Sequence, residues 1–253
     1  MENTSKPDSC IAKQVLPAPL YLALSYIFEQ NITNCVLVGG TALSGFYAGH
    51  RRSDDLDLFV KDELAFSQTL LSVKSLSNIG TQIKEIAHSN QYYKALCKLN
   101  SHEFTVDIVQ DVNIFKVGTF YKSDAILIAD LPTLFMMKSA ALLSRCSEKD
   151  LFDLEWLLKN LKGASISDII LGGVKIDSGM KAETVLYSIS SSQTRRDACG
   201  FSLDPASDSK VIYDRLIKFK KRLIKELTNI LQHNISSDIK PIIDTLRGLI
   251  KLI

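Results

Sequence analysis

The feature that most restricts the fold is a short apolar run, Cys35-Val-Leu-Val38, that ends on Gly39-Gly40 and passes directly into Thr41-Ala-Leu43. A four-residue run closed by a glycine pair reads as a buried strand that turns at once into a helix, here reaching about Ala48. Asp55 to Val60 is a second strand, followed by a helix from about Glu63 to Val73. Strands near Ile83–Ala87 and Tyr92–Leu99 precede a turn at Asn100-Ser101-His102, and Phe104–Val109 pairs back as a hairpin. Leu20 to Gln30 reads as a helix ahead of all of these, with a turn at 31–34. Helical and strand-like stretches therefore alternate through the first half.

From Leu131 the periodicity becomes helical, with Pro132 in a first-turn position. Helices are expected near 132–145, 148–160, 180–193, 208–233 and 237–251, with an irregular stretch at Gly163–Gly179. In the 208–233 segment Ile212, Leu216, Phe219, Leu223, Leu227 and Ile230 recur at spacings of three and four, a buried stripe. The expected fold is α/β (α+β): a mixed-sheet domain over 1–128 and a helical bundle domain over 129–253.

A net charge of +2 gives no bulk field that would announce a polyanion ligand. The charge is unevenly spread, however. Residues 210–253 carry ten basic and four acidic side chains, so the rest of the chain is net negative. A solvated helix face and a surface for an RNA backbone both fit that excess. The five cysteines lie far apart with no C-x-x-C pair, which signals neither zinc nor a disulfide framework. The N-terminal residues lack a signal-peptide pattern and no run is long and apolar enough to span a bilayer, so a cytoplasmic location without membrane contact is expected.

Chemistry concentrates in one region. Asp55 and Asp57 alternate on a strand and so project to the same face, where both reach one hard cation. Such carboxylates suit Mg²⁺, which takes few protein oxygens and completes its shell with water and phosphate. Asp54 points the other way. The glycines at 39 and 40 let a phosphate approach backbone amides at a helix start, and Thr41 adds a hydroxyl. A third strand acid, Asp107, sits among apolar residues, where it needs a partner or a metal. Three acids could hold two cations about 3.5–4 Å apart. Lys138 and Arg145 share a helix face and fit a triphosphate tail. Asp150 reads as the partner of Ser147 in a cap, which leaves Asp153 as the better candidate for the site.

Taken in order, Gly39-Gly-Thr-Ala-Leu43, His50-Arg51-x-Ser53-x-Asp55-Leu-Asp57-Leu-Phe59, Asp107, Lys138 with Arg145, and Lys149-Asp150-x-x-Asp153-Leu resemble the AbiEii/AbiGii toxin family of nucleotidyltransferases, in the DNA polymerase β-like superfamily. The resemblance covers about residues 35–160. It implies a polymerase β-like catalytic domain with a helical partner and Mg²⁺-dependent transfer of NMP from an NTP to an acceptor, either an RNA such as tRNA or a protein. It further implies a place as the toxin of a toxin–antitoxin pair, with a cognate antitoxin as partner. By position it makes Asp55, Asp57 and Asp107 metal ligands and catalytic acids, with Lys138 and Asp153 completing the catalytic set. Gly39, Gly40, Thr41, Arg51, Ser53, Lys138 and Arg145 would bind the nucleotide. The superfamily usually has Gly-Ser where this chain has Gly40-Thr41, and the hydroxyl is kept.

Two other readings compete with this one. A dinucleotide fold fits poorly, because Gly39, Gly40, Gly45 and Gly49 do not make G-x-G-x-x-G. A non-catalytic nucleotide-binding or antitoxin-binding module is the alternative from a different class. His50 adjoins the motif, where a contact with the phosphates or acceptor and a surface or packing role both fit; the histidines at 88, 102 and 233 stand in no ligand spacing, and Phe152, Trp156 and Leu157 read as helical core. Arg195, Arg196 and Asp197 read as a polar loop.

Overall fold

Val36 and Leu37 are inaccessible to solvent, and the strand they occupy, β1 (Cys35–Val38), is buried on both faces, as expected for the middle of a sheet. The computed structural model describes residues 6–250, with side chains through residue 232. Two helices precede β1: α1 (Ser9–Val15) and α2 (Ala18–Glu29). After it come α3 (Gly39–Leu43), continued by a π-helical turn at Ser44–Ala48, then β2 (Asp55–Val60) and α4 (Glu63–Lys74). The strands β3 (Gln82–His88), β4 (Tyr92–Leu99) and β5 (His102–Gln110) form a meander. Next are α5 (Val112–Val117) and a hairpin of β6 (Phe120–Ser123) and β7 (Ile126–Ala129). Five helices complete the chain: α6 (Leu131–Ser144), α7 (Glu148–Asn160), α8 (Ile166–Gly173), α9 (Ala182–Ser191) and α10 (Ser209–Ile250).

The strands make one mixed sheet in the order β3-β4-β5-β2-β1-β7-β6. β2 runs antiparallel to β1 but parallel to β5, and β1 is parallel to β7. Along β2 burial alternates, with Leu56, Leu58 and Val60 inaccessible and the intervening residues partly open. The apolar face, with Val106 and Ile108 of β5, lies against α2 and α4, which also touch each other. The opposite face is left to the aspartates. Local chemistry sets the helix starts: Asp62, Asp111, Asp130 and Ser147 each accept a backbone N–H in the first turn of α4, α5, α6 and α7.

The fold class is as the sequence indicates, an α/β sheet domain with a helical C-terminal region. Several elements differ from expectation. β6 and β7 were not expected, and β7 extends the sheet beyond β1. Four apolar residues, Ile126-Leu-Ile-Ala129, are too few for periodicity to separate strand from helix. α1, α5 and α8 were also missed, each being eight residues or fewer. α8 falls inside the stretch expected to be irregular. The helices expected at 208–233 and 237–251 are one continuous α10, with residue 251 outside the described residues. The buried stripe from Ile212 to Leu227 is present. On the same helix Arg215 pairs with Glu155 at 2.6 Å, and Lys220 Nζ donates to Ser192. Lys210, Lys218, Lys221, Arg222 and Lys225 are exposed.

Candidate active site

The sheet register brings the acids together. Asp57 on β2 is level with Asp107 on β5, and Asp55 is level with Thr105. On the far side of β5, Lys94 of β4 is level with Asp107. A row of Lys94, Asp107 and Asp57 thus crosses three strands on one face, ending against Val38 of β1. Just beyond Val38 the chain turns through Gly39 at φ +71°. A Cβ there would stand 1.8 Å from Asp57 Oδ2, so only glycine lets the backbone pass the carboxylate. A Cβ on Gly40 would fall 2.3 Å from Arg51 Nη2 and 2.9 Å from Ser53 Oγ. The glycine pair leaves a cradle beside Asp57 that side chains would fill.

Thr41 faces elsewhere. It is inaccessible to solvent, and its hydroxyl donates to the Asp55 carbonyl at 2.5 Å with Ser53 Oγ 3.0 Å away. Ser44 Oγ likewise holds the Arg51 carbonyl. The expected phosphate-binding hydroxyl of Thr41 is spent on fixing the loop that delivers Asp55. Asp54, beside the pair, turns to His102 Nε2 at 3.2 Å.

Asp153, on α7, lies outside the cleft. It is fully buried, and Arg51 grips it with two bonds, Nε to Oδ1 at 2.6 Å and Nη2 to Oδ2 at 2.7 Å. His50 Nε2 is 2.9 Å from Oδ1, and Lys138 Nζ is 2.8 Å from Oδ2. Lys138 also contacts Asp150 Oδ1 at 2.8 Å, and Asp150 Oδ2 takes Ser147 Oγ at 2.6 Å and Arg145 Nε at 3.1 Å. Burial alone would raise the Asp153 carboxyl; Lys138 and Arg51 outweigh it and hold Asp153 well below the ordinary range. Burial would likewise lower Lys138, but Asp153 and Asp150 keep it above its usual value. Asp153 therefore acts by holding Arg51 and Lys138 in place. Asp150, set aside at the sequence level as a cap, does cap α7 and also borders the cleft.

The cleft itself is a polar space of about 230 Å³ between the acid face of the sheet and the α6–α7 junction. Asp55, Asp57 and Asp107 form one wall, and Lys138, Arg145 and Lys149 the other. Beside it, sharing Asp57, Lys138 and Arg145, is a cavity of about 570 Å³ lined by Phe59, Val109, Met137, Ala140 and Ile176 together with the polar Asp111, Ser144, Asp177 and Ser178. The three acids are not equivalent. Asp107 accepts Tyr92 Oη at 2.6 Å and Lys94 Nζ at 3.0 Å, and Asp55 accepts Thr105 Oγ1 at 2.8 Å. Asp57 has no side-chain partner among the described residues; burial, reinforced by Asp55 and Asp107 against the pull of Lys138, pushes it up to about 6.

These residues fit one divalent cation. Asp55 and Asp57 offer hard oxygens on one face, and Asp57 has no side-chain partner among the described residues. Among the described residues no three or more acids, histidines or cysteines are gathered into a complete metal cage. Asp107 is drawn away by Lys94. Sequence reasoning missed Lys94, Tyr92, Thr105 and the bonds of His50 and Arg51 to Asp153. Counting outward from the turn Asn100-Ser101, both at positive φ, would have paired Lys94 with Asp107.

The elements that build the cleft, from β1 through α7, all lie within the segment matched in a family comparison. The model of the nucleotidyl transferase AbiEii toxin family, of type IV toxin–antitoxin systems, matches residues 23–225. The chain belongs to the AbiEii nucleotidyltransferase toxin family. Among solved structures, this AbiEii-family chain is similar to JHP933 from Helicobacter pylori, at 18% identity and TM-score 0.52, over 88% of this chain and 98% of that one. It is also similar to MenT4, a nucleotidyltransferase toxin from Mycobacterium tuberculosis, at 16% identity and TM-score 0.50, over 88% and 96% of the two chains. At these identities the likeness is one of fold. No curated protein sequence matches the chain. No helix among the described residues is long and apolar enough to cross a membrane.

Proposed function

We propose that this AbiEii-family protein transfers an NMP group from an NTP to a hydroxyl of an acceptor, an RNA such as tRNA or a protein, as the toxin of a cytoplasmic toxin–antitoxin pair. The observation that carries this reading is the level row of carboxylates on one sheet face opposite Lys138, Arg145 and Lys149. Mg²⁺ held by Asp55 and Asp57 would supply charge neutralisation at the α-phosphate and the leaving pyrophosphate.

The chain's own groups do the positioning. Gly39 and Gly40 leave backbone exposed where the phosphates pass beside Asp57. Lys138 has three ammonium hydrogens, two committed to Asp150 and Asp153, and directs the third to the phosphates. Arg145, with its side chain 68% exposed, reaches the outer end of the triphosphate. The adjoining cavity, with both apolar and polar lining, takes the nucleoside, and the acceptor hydroxyl enters along the acid face, in line with the departing pyrophosphate. The exposed lysines and Arg222 of α10 suit a phosphate backbone. In this reading residues 1–128 carry Asp55, Asp57 and Asp107, and residues 129–253 bring Lys138, Arg145 and Lys149.

Incubation with Mg²⁺, each α-labelled NTP in turn, and total tRNA, total RNA or protein extract should move label to one acceptor class, and Asp55→Ala should reduce transfer by at least 100-fold. Absence of label under every condition, with wild type and Asp55→Ala alike, refutes the proposal. Nucleotide-dependent thermal stabilisation without transfer would favour a binding module instead.

A further inference from the structure

We infer that Lys94 stands in for a second divalent ion at Asp107, so that the cleft takes one Mg²⁺, on Asp55 and Asp57, and meets the remaining charge with an ammonium. This rests on the nucleotidyltransferase reading above. Lys94 Nζ lies 3.0 Å from Asp107 Oδ2 and 3.3 Å from Oδ1, against both oxygens, while Tyr92 Oη donates to Oδ1 at 2.6 Å. The Asp107 carboxylate is therefore already engaged by a cation and a hydroxyl, and its side chain is only 14% exposed.

The pairing is built into the sheet. Lys94 and Asp107 are directly opposite in an antiparallel ladder whose flanking pairs, Tyr93–Ile108 and Ala95–Val106, are buried, and a one-residue slip would turn those apolar groups to the wrong face. The other two acids are placed differently: Asp57 has no side-chain partner among the described residues and Asp55 only a threonine hydroxyl. Binding a second ion at Asp107 would require stripping Lys94 from a strong charge-assisted contact and leaving its ammonium beside a dication.

The test is Mn²⁺ binding to the full chain, followed by calorimetry and electron paramagnetic resonance, alone and with a non-hydrolysable NTP analogue. Wild type should bind one Mn²⁺ per chain, with the spectrum of an isolated ion. Lys94→Met should bind two, with the spin coupling of ions a few ångströms apart, whereas Lys94→Arg should bind one. Two coupled ions in wild type overturn the inference, as does a single ion in a folded Lys94→Met protein. If Lys94→Met does not fold, the wild-type stoichiometry and Tyr92→Phe, which keeps Lys94 and should bind one ion, still decide. Two ions in a wild type that transfers label would sink this inference alone; no Mn²⁺ and no transfer would sink the functional reading with it.

Discussion

Asp57 carries an unfavourable charge in the protein without metal, chiefly because it is buried and also because Asp55 and Asp107 stand beside it, with Lys138 and Arg145 opposing. Replacing it by asparagine keeps the shape and removes the charge. Asp57→Asn should therefore melt about 2–6 °C above wild type at pH 7.5 in chelator, since about 1 kcal/mol moves Tm by about 2–4 °C at this size. Added Mg²⁺ should raise the wild-type Tm and leave the variant unmoved, as read by differential scanning calorimetry. Asp153 behaves oppositely. Lys138 and Arg51 depress its carboxyl in the folded state, so its contribution is complete above about pH 4, the unfolded value, and is withdrawn as the pH falls below that. Asp153→Ala leaves the buried Arg51 without its counter-charge and Lys138 with Asp150 alone, and should cost about 3–5 kcal/mol at pH 7. Urea titrations across pH should show the gap between wild type and variant closing in acid.

At the scale of elements, the turn from β1 into α3 is the most constrained point. Gly39→Ala combines a positive φ with a clash against Asp57, and should lower transfer at least tenfold and destabilise by about 1–3 kcal/mol. Gly80 is the control: its φ is +83°, but nothing lies within 4 Å of its absent Cβ. Gly80→Ala should cost about 1 kcal/mol and leave transfer intact. These elements were legible in the sequence because β1, β2, the β4–β5 hairpin and α7 each carry a local signal, whether an apolar run, an alternation, a turn or a cap. The site was legible to the extent that its groups sit on those elements, as Asp55, Asp57 and Asp107 do. Asp153 as the anchor of Arg51 was not, since the two are 102 residues apart and nothing local to either marks the contact. Lys94 lay between these cases, recoverable from hairpin register but from no motif.

Across the whole molecule the sheet and helical regions share their contacts. Besides the bonds from His50 and Arg51 to Asp153, the Arg52 amide donates to the Phe201 carbonyl and the Leu203 amide to the His50 carbonyl. Such linkage predicts a single unfolding event. Fluorescence of Trp156, on α7, and labelling of Cys97, buried in β4, should give the same urea midpoint; separated midpoints would mean that the two regions unfold independently.

The reach of those contacts also sets an order in time. A ribosome making this chain releases the glycine turn and all three strand acids well before it has made Asp153, and later still the segment that pairs with His50 and Arg52. At about 5–20 residues per second, the segment around Phe201 trails Arg51 by roughly 8–30 s. For that interval the loop bearing Arg51 lacks the groups that shape it. Until Asp153 and the segment around Phe201 have been made, a growing chain of this kind has its strand acids in hand but not the groups that fix the arginine beside them.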